Sequence, residues 1–225
     1  MKDMERFCET AERIKDLKNE NVAEIFGVGS DPLEENVASI AEYVPGADIY
    51  TSTRNLPPLH QLPLFVRVLY GLKHIHDSGF LHLNIKPNKI RVDLESSPPI
   101  VKLVDYGFAI SRVGYTGEYG GTPIYMAPEV IFGEKEKIGE SADLYSFAVT
   151  FYYCLTNHHP FDERLKSERD RHKLRNIVQK EGGVSPASHY NKKIPQELDE
   201  LLLSLLEKNI ENRKYKTVKN LISNI

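Results

Sequence analysis

The stretch "FLHLNIKPNKIRVDL", residues 80–94, places polar groups at fixed intervals within an apolar run. Its end, "KIRVDL", alternates apolar and polar residues as a half-buried strand does. The turn "ESSPP" follows, and then a second strand-like run, "IVKLVDYG" at residues 100–107. The sequence therefore predicts a polar loop followed by two short strands.

The rest of the chain predicts a small strand-bearing start and a mostly helical remainder. Apolar spacing indicates helices at residues 4–17, 64–76, 141–155, 162–178, 196–213 and 217–225, and strands at residues 22–29 and 36–44. The helix at 141–155 is apolar nearly all round, which is typical of a central buried helix. The helix at 162–178 is mostly charged, which is typical of a solvated surface helix.

Composition argues against several classes of function. A net charge of −3 and a pI near 6.3 give no reason to expect nucleic acid as a partner. The sequence has neither an apolar run long enough for a bilayer nor the apolar core of a signal peptide. Its two cysteines, Cys8 and Cys154, lie in apolar helical patterns that suit a reducing compartment. We therefore expect an intracellular protein, cytoplasmic or nuclear, with no membrane contact.

Four motifs follow one another between residues 82 and 149: "HLNIKPNK", "VDYG", "GTPIYMAPE" and "SADLYSFAV". Their order resembles the catalytic domain of eukaryotic-type protein kinases of the Ser/Thr branch. The resemblance implies an α+β, protein kinase-like fold forming a single domain over residues 1–225. Residues 1–48 would form a remnant N-lobe of one helix, two strands and the hinge, and residues 49–225 a mainly helical C-lobe.

The resemblance implies that the catalytic loop is degenerate. His82 and Lys86 match the family pattern, but Leu83 stands where an Arg is expected. Asn84 stands where the family has the Asp that orients the substrate hydroxyl and accepts its proton. An amide is nearly the same shape but neutral, so Asn84 cannot act as a carboxylate base.

The metal and nucleotide positions also depart from the family pattern. Lys89 stands where a metal-binding Asn is expected, and an ammonium group cannot ligate a divalent cation. Asp105 matches the metal-binding Asp, so it is either a surviving magnesium ligand or a loop anchor that pairs with Lys89. Arg91 stands beneath the expected adenine position, where an unpaired buried guanidinium would be costly unless the side chain reaches solvent.

The family's Gly-rich loop and phosphate-pairing Lys do not occur in this sequence. Either the protein has only a remnant N-lobe or the gene model is truncated, and the sequence leaves both open. We expect no cofactor, with ATP and Mg²⁺ as the alternative.

The structural positions of the family are present. The resemblance implies an ion pair between Glu129 and Arg213 and hydrogen bonds from the catalytic-loop backbone to Asp143. Thr116 and Thr122 would belong to the activation segment, with Thr122 facing Lys86.

The sequence therefore favours an inactive kinase, or pseudokinase, that binds a protein partner or a true kinase as a regulatory scaffold. The alternative is an active or weakly active Ser/Thr kinase with a rearranged site. Nucleotide binding without transfer is less favoured, because the Gly-rich loop is missing. The sequence does not decide the oligomeric state.

Overall fold

A computed structural model describes residues 18–31, 36–105, 110–111, 121–161 and 183–225. Its strands are β1 (Ile25–Asp31), β2 (Asn36–Ala41), β3 (Ala47–Asp48), β4 (Phe80–Leu81), β5 (Ile90–Asp93), β6 (Ile100–Leu103) and β7 (Ile110–Ser111). Its α-helices are α1 (Ile49–Thr53), α2 (Pro58–Asp77), α3 (Pro128–Phe132), α4 (Glu140–Thr156), α5 (Gln196–Leu205) and α6 (Val218–Ile222). Short 3₁₀ turns include Pro87–Lys89, Pro123–Tyr125 and Ile210–Asn212.

The core is built around α2 and α4. Almost every side chain of α4 is buried, as its nearly all-round apolar pattern predicts. Phe65 of α2 stacks on Phe151 of α4 with ring centroids 3.8 Å apart. Burial of apolar side chains on this scale is the main stabilising term of the fold.

The start of α2 differs from the sequence prediction, which placed the helix at residues 64–76. The helix begins at Pro58, where the missing N–H costs nothing because the first turn has no intrahelical acceptor for it. Pro63 lies inside the helix and removes one backbone hydrogen bond. Gln61 ties the first turns of α2 to the segment before it, since its Nε2 donates to the carbonyl oxygens of Thr53 and Leu56, both at 3.1 Å.

A three-stranded antiparallel sheet, in the order β3-β5-β6, carries the middle of the chain. Asp48 of β3 lies opposite Arg91 of β5, which lies opposite Lys102 of β6. Gly46, with φ +83°, brings the segment before β3 against this sheet. A β-carbon at Gly46 would lie only 2.0 Å from the carbonyl oxygen of Val92, so only glycine fits there.

The predicted strands before and after the catalytic loop are confirmed. β1 and β2 form an antiparallel hairpin with an irregular register between Ile25 and Gly27. Parts of the two runs around "ESSPP" form β5 (Ile90–Asp93) and β6 (Ile100–Leu103), which are shorter than the runs.

The predicted helix over residues 196–213 is too long. α5 ends at Leu205, and a separate 3₁₀ turn begins after Asn209, whose side chain accepts a hydrogen bond from the Glu211 amide. This local side-chain bond offers the backbone an alternative to continuing the helix. The predicted helices over residues 4–17 and 162–178 lie outside the described residues.

No helix in the part of the chain that the structure describes combines the length and the apolar character that crossing a membrane requires.

Candidate active site

The catalytic loop is fixed from below by Asp143 at the start of α4. Its Oδ2 accepts a hydrogen bond from the His82 amide at 2.8 Å, and its Oδ1 accepts one from the Leu83 amide at 2.7 Å. Leu83 has φ +53°, a left-handed conformation that costs a non-glycine residue about 1–3 kcal/mol. The two bonds from a fully buried carboxylate hold the loop in this strained conformation.

Asp143 also contacts a buried histidine that the sequence analysis did not single out. His76 Nε2 lies 2.7 Å from Asp143 Oδ2, and His76 Nδ1 lies 3.3 Å from Glu140 Oε2. Burial opposes protonation, but the hydrogen bonds to Asp143 and Glu140 raise the pKa of His76 above its usual value. The available signal was the spacing from Leu72, which puts His76 on the buried face of α2.

His82 is held neutral. Complete burial lowers the pKa of His82 to about 4, because a low-dielectric environment disfavours the imidazolium. Its Nδ1 accepts a hydrogen bond from the Asn84 amide at 3.3 Å, which links the two ends of the loop turn.

Asn84 is almost completely buried beneath the activation segment. Among the described residues its Oδ1 has no hydrogen-bond partner. Gly121, with φ +133°, packs directly on the loop, and a β-carbon there would lie 2.9 Å from the Leu83 carbonyl oxygen. Next to it, Lys86 Nζ donates to Thr122 Oγ1 at 2.5 Å. The structure therefore brings Asn84, Lys86 and Thr122 together.

Lys89 and Asp105 form an ion pair. The Lys89 side chain is 13% exposed and that of Asp105 is 54% exposed. Burial and, secondarily, the charge of Lys86 lower the pKa of Lys89. Asp105 adopts φ +60°, a second left-handed residue at the site. Since the ammonium group contacts the carboxylate oxygen that a metal would need, the residues present do not fit a magnesium ion.

Arg91 does not carry the burial cost considered from the sequence. Its neighbours in β5, Ile90 and Val92, point into the core, and strand alternation puts Arg91 on the opposite face. There the side chain is partly exposed, and its Nη2 donates to the Gly46 carbonyl oxygen. The guanidinium is therefore bonded at the edge of the site.

Glu129 and Arg213 form a bidentate pair, with both nitrogen–oxygen distances at 2.7 Å and both side chains buried. Arg213 also donates to the Ser141 carbonyl and hydroxyl oxygens and lies over the Tyr145 ring at 5.0 Å. Thr116 lies outside the described residues.

Comparison with known proteins identifies the family. The profile of the protein kinase domain matches residues 2–223. This chain belongs to the protein kinase superfamily. Serine/threonine-protein kinase pkn2 of Myxococcus xanthus is 31% identical over 72% of the chain, which covers 20% of that protein.

Two further relatives show the extent of the similarity. A probable serine/threonine-protein kinase of Clostridium perfringens is 29% identical over 98% of the chain and 31% of its own length. Human serine/threonine-protein kinase ULK1 is 29% identical over 89% of the chain and 19% of its own length. The chain thus spans between about a fifth and a third of the length of these kinase relatives.

The metal-binding residues of protein kinases can be compared with the residues of this site. Protein kinases use ATP and magnesium, and the magnesium ions are held by an Asp and an Asn oxygen. The resemblance aligns Lys89 with that Asn and Asp105 with that Asp, and in the structure these two side chains form an ion pair.

Proposed function

We propose that this kinase-family protein is a pseudokinase that acts as a protein-binding, regulatory scaffold. The observation that carries the proposal is the Lys89–Asp105 ion pair. Phosphoryl transfer depends on divalent cations that bridge the phosphates and neutralise their developing charge. A tethered ammonium group on the metal-binding carboxylate supplies one positive charge but no coordination positions for phosphate oxygens.

The loss of the base adds to the loss of the metal. Asn84 cannot accept the hydroxyl proton, and Lys86 alone remains of the loop groups that contact a transferring phosphate. Removing one such electrostatic group typically costs ~10²–10³ in rate. Several losses together leave little catalysis even though their effects are not additive.

Two features support a binding role. The residues that hold the loop in place make their hydrogen bonds and ion pairs: Asp143 accepts from the loop backbone, and Glu129 pairs with Arg213. The hairpin of β1 and β2 and the segment after it also expose large apolar side chains: Phe26 at 61%, Ile40 at 67% and Tyr43 at 84%. Exposed apolar groups at a sheet suit a protein partner, such as an active kinase. The buried thiol of Cys154 suits the cytoplasm or nucleus, where such a scaffold would act.

A phosphotransfer assay tests the proposal. The purified chain is incubated with γ-labelled ATP and Mg²⁺ or Mn²⁺, with itself and a general protein substrate as acceptors. An active Ser/Thr kinase is assayed in parallel. We expect no incorporation above background by the native chain or by Asn84→Asp, because restoring the base leaves the metal site blocked.

An Asp105→Asn variant serves as the matched control for contaminating kinases. Incorporation by the native chain that disappears in Asp105→Asn would refute the proposal and support the weakly active kinase instead. Incorporation by Asn84→Asp alone would show that the blocked metal site is not limiting.

A further inference from the structure

The solvent side of α2 carries a line of apolar side chains. Leu59, Pro63, Val66 and Tyr70 recur at intervals of four, three and four residues, which places them along one face of the helix. Leu59 is 57% exposed and Tyr70 is 48% exposed, while Pro63 is exposed and Val66 is half-buried. The residues that α2 buries in the core lie on the opposite face. We call these four residues the outer stripe.

The outer stripe is unusual for a surface helix. A helix at the surface of a globular protein normally carries polar residues on the face that points away from the core, whereas α2 is apolar on both faces. Single exposed apolar side chains are common, but a contiguous apolar patch marks an interaction surface. The stripe ends where the exposed ion pair of Lys73 with Asp77 begins.

A cavity lies beside the outer stripe. Leu62, which is half-buried and next to Pro63 in the helix, lines a cavity of about 560 Å³. Leu198 and Leu201 of α5 and the ring of Tyr215 supply further apolar wall. The cavity is large enough to receive an apolar side chain from a molecule that rests on the stripe.

The two edges of the outer stripe differ in charge. His60 and Arg67 each follow a stripe residue by one position and Leu62 precedes one, so they lie along opposite edges. Within the described residues, neither His60 nor Arg67 has a carboxylate partner. The cavity on the other edge is lined by two exposed carboxylates, Glu197 and Glu200, and by one ammonium group, that of Lys214.

A second copy of the chain fits this surface less well than another protein does. In an antiparallel pairing of two α2 helices, each charged edge meets the same edge of the other copy, so like charges face each other. In a parallel pairing, the Arg67 edge meets the cavity, which then receives a guanidinium group instead of an apolar one. A membrane is also disfavoured, because anionic lipid is recognised by clusters of about 4–8 Lys and Arg side chains.

We propose that the outer stripe and the cavity beside it bind an amphipathic helix of a partner protein. That helix is acidic along the edge that faces Arg67 and basic along the edge that faces Glu197 and Glu200, and one large apolar side chain fills the cavity as an anchor. The stripe from Leu59 to Tyr70 is about 16 Å long at 1.5 Å per residue, which matches three turns of such a helix. The inference rests on the proposed function in treating this protein as a scaffold for other proteins.

A synthetic helix tests the proposal. Fluorescence anisotropy of the full chain is measured with a labelled peptide of about 18 residues, long enough to form a helix. The matched peptide has a Leu stripe with one central Phe, Glu along one edge and Lys along the other. A second peptide has the same composition in scrambled order, and a third has Lys along both edges. We expect the matched peptide to bind roughly tenfold or more tightly than the scrambled one and several-fold more tightly than the third.

Variants assign the binding to the outer stripe. Leu59→Ser and Tyr70→Ser should each weaken binding of the matched peptide by roughly tenfold, because each removes apolar surface that the peptide covers. Leu94→Ser removes a leucine that is 41% exposed in the turn after β5 and should leave binding unchanged. Thermal melting of each variant establishes that it is folded.

Arg67→Glu tests the charge pattern separately from the apolar contact. It should weaken binding of the matched peptide several-fold and strengthen binding of the peptide with Lys along both edges. Lys137→Glu makes the same change of net charge away from α2, in an exposed pair with Glu134, and should alter neither affinity.

The proposal is overturned if the matched peptide does not bind, if the scrambled peptide binds equally well, or if Leu59→Ser and Tyr70→Ser both keep the native affinity. Two other results would assign the stripe to a different occupant and would also overturn it. One is a dimer in sedimentation that Tyr70→Ser converts to a monomer. The other is binding to vesicles of phosphatidylcholine and phosphatidylserine that Arg67→Glu abolishes.

These failures are distinct from failure of the proposed function. Absence of peptide binding removes the α2 site and leaves the pseudokinase proposal standing, because that proposal is tested by phosphotransfer. Phosphate incorporation by the native chain would refute the pseudokinase proposal whatever the peptides do.

Discussion

Two residues of this site carry a different functional group from the one that the kinase pattern has at the same position. Lys89 places a cation where a metal is expected, and Asn84 places an amide where a carboxylate is expected. Both side chains remain in the arrangement of the loop, with Lys89 on Asp105 and Asn84 under Gly121. The proposed loss of phosphoryl transfer would therefore reside in individual functional groups of the site.

His82 gives a prediction at the same scale. Its pKa is about 4 in the folded protein, against about 6.5 for an unperturbed histidine. Between pH 6.5 and 4, the His82 imidazole is therefore protonated in the unfolded chain and neutral in the folded chain. The contribution of His82 to the free energy of unfolding is fully present above pH 6.5. It falls by roughly 3 kcal/mol as the pH drops to 4.

Urea unfolding at pH 7, 5.5 and 4.5 measures this loss. We expect the free energy of unfolding to fall with pH in the native protein and to fall much less in His82→Phe, which cannot titrate. His76 titrates in both proteins, so its contribution to the pH dependence cancels when the native protein is compared with His82→Phe. Equal pH dependence in the two proteins would contradict the assignment.

At the scale of elements, what the sequence could reveal depended on the range of the interaction. The alternation of Ile90, Arg91 and Val92 is local, and it predicted β5, whereas the burial cost considered for Arg91 depended on the fold around the strand. Opposite charges at Lys89 and Asp105 suggested their ion pair once the motifs were aligned. The predicted start of α2 was wrong, because the sequence does not distinguish a proline in the first turn of a helix from one in its interior.

The partners of His76 lay beyond such local patterns. Asp143 is 67 residues away, and only the packing of α2 against α4 brings the two together. The sequence alone therefore gave His76 no role.

The α2–α4 junction predicts a pH dependence of the opposite sign. The raised pKa of His76 means that its pairing with Asp143 and Glu140 contributes fully below pH 6.5 and is lost as the pH rises through the raised value. His76→Gln should therefore destabilise the protein most at pH 6 and progressively less at pH 7.5 and 9. Removing one partner of a buried ion pair costs about 3–5 kcal/mol at the low-pH end.

Unfolding free energies of native and variant proteins across this pH series provide the measurement. His60→Gln alters an exposed histidine on the same helix and should change stability little at any pH. A constant difference between the native protein and His76→Gln would show that its charge plays no part.

At the scale of the molecule, two buried carboxylates connect separate segments of the chain. Asp143 ties the catalytic loop to α4, and Glu129 ties the end of the activation segment to Arg213 near the C-terminal helices. Both carboxylates are buried and fully hydrogen-bonded, which is the arrangement that makes a buried charge tolerable. This framework would hold in place the surface of the scaffold proposed above.

The Glu129–Arg213 pair tests this view of the framework. Glu129→Ala leaves the Arg213 guanidinium buried without its carboxylate, and Arg213→Ala leaves Glu129 equally unpaired. Each should cost about 3–5 kcal/mol, a fall in Tm on the order of 10 °C for a chain of this size. The double variant should lose less than the sum of the two single losses, because no unpaired charge remains. Lys137→Ala, which breaks only an exposed pair with Glu134, should shift Tm by a few degrees at most. If thermal melting gives the same small shift for Glu129→Ala as for Lys137→Ala, the pair does not hold the activation segment to the helical framework.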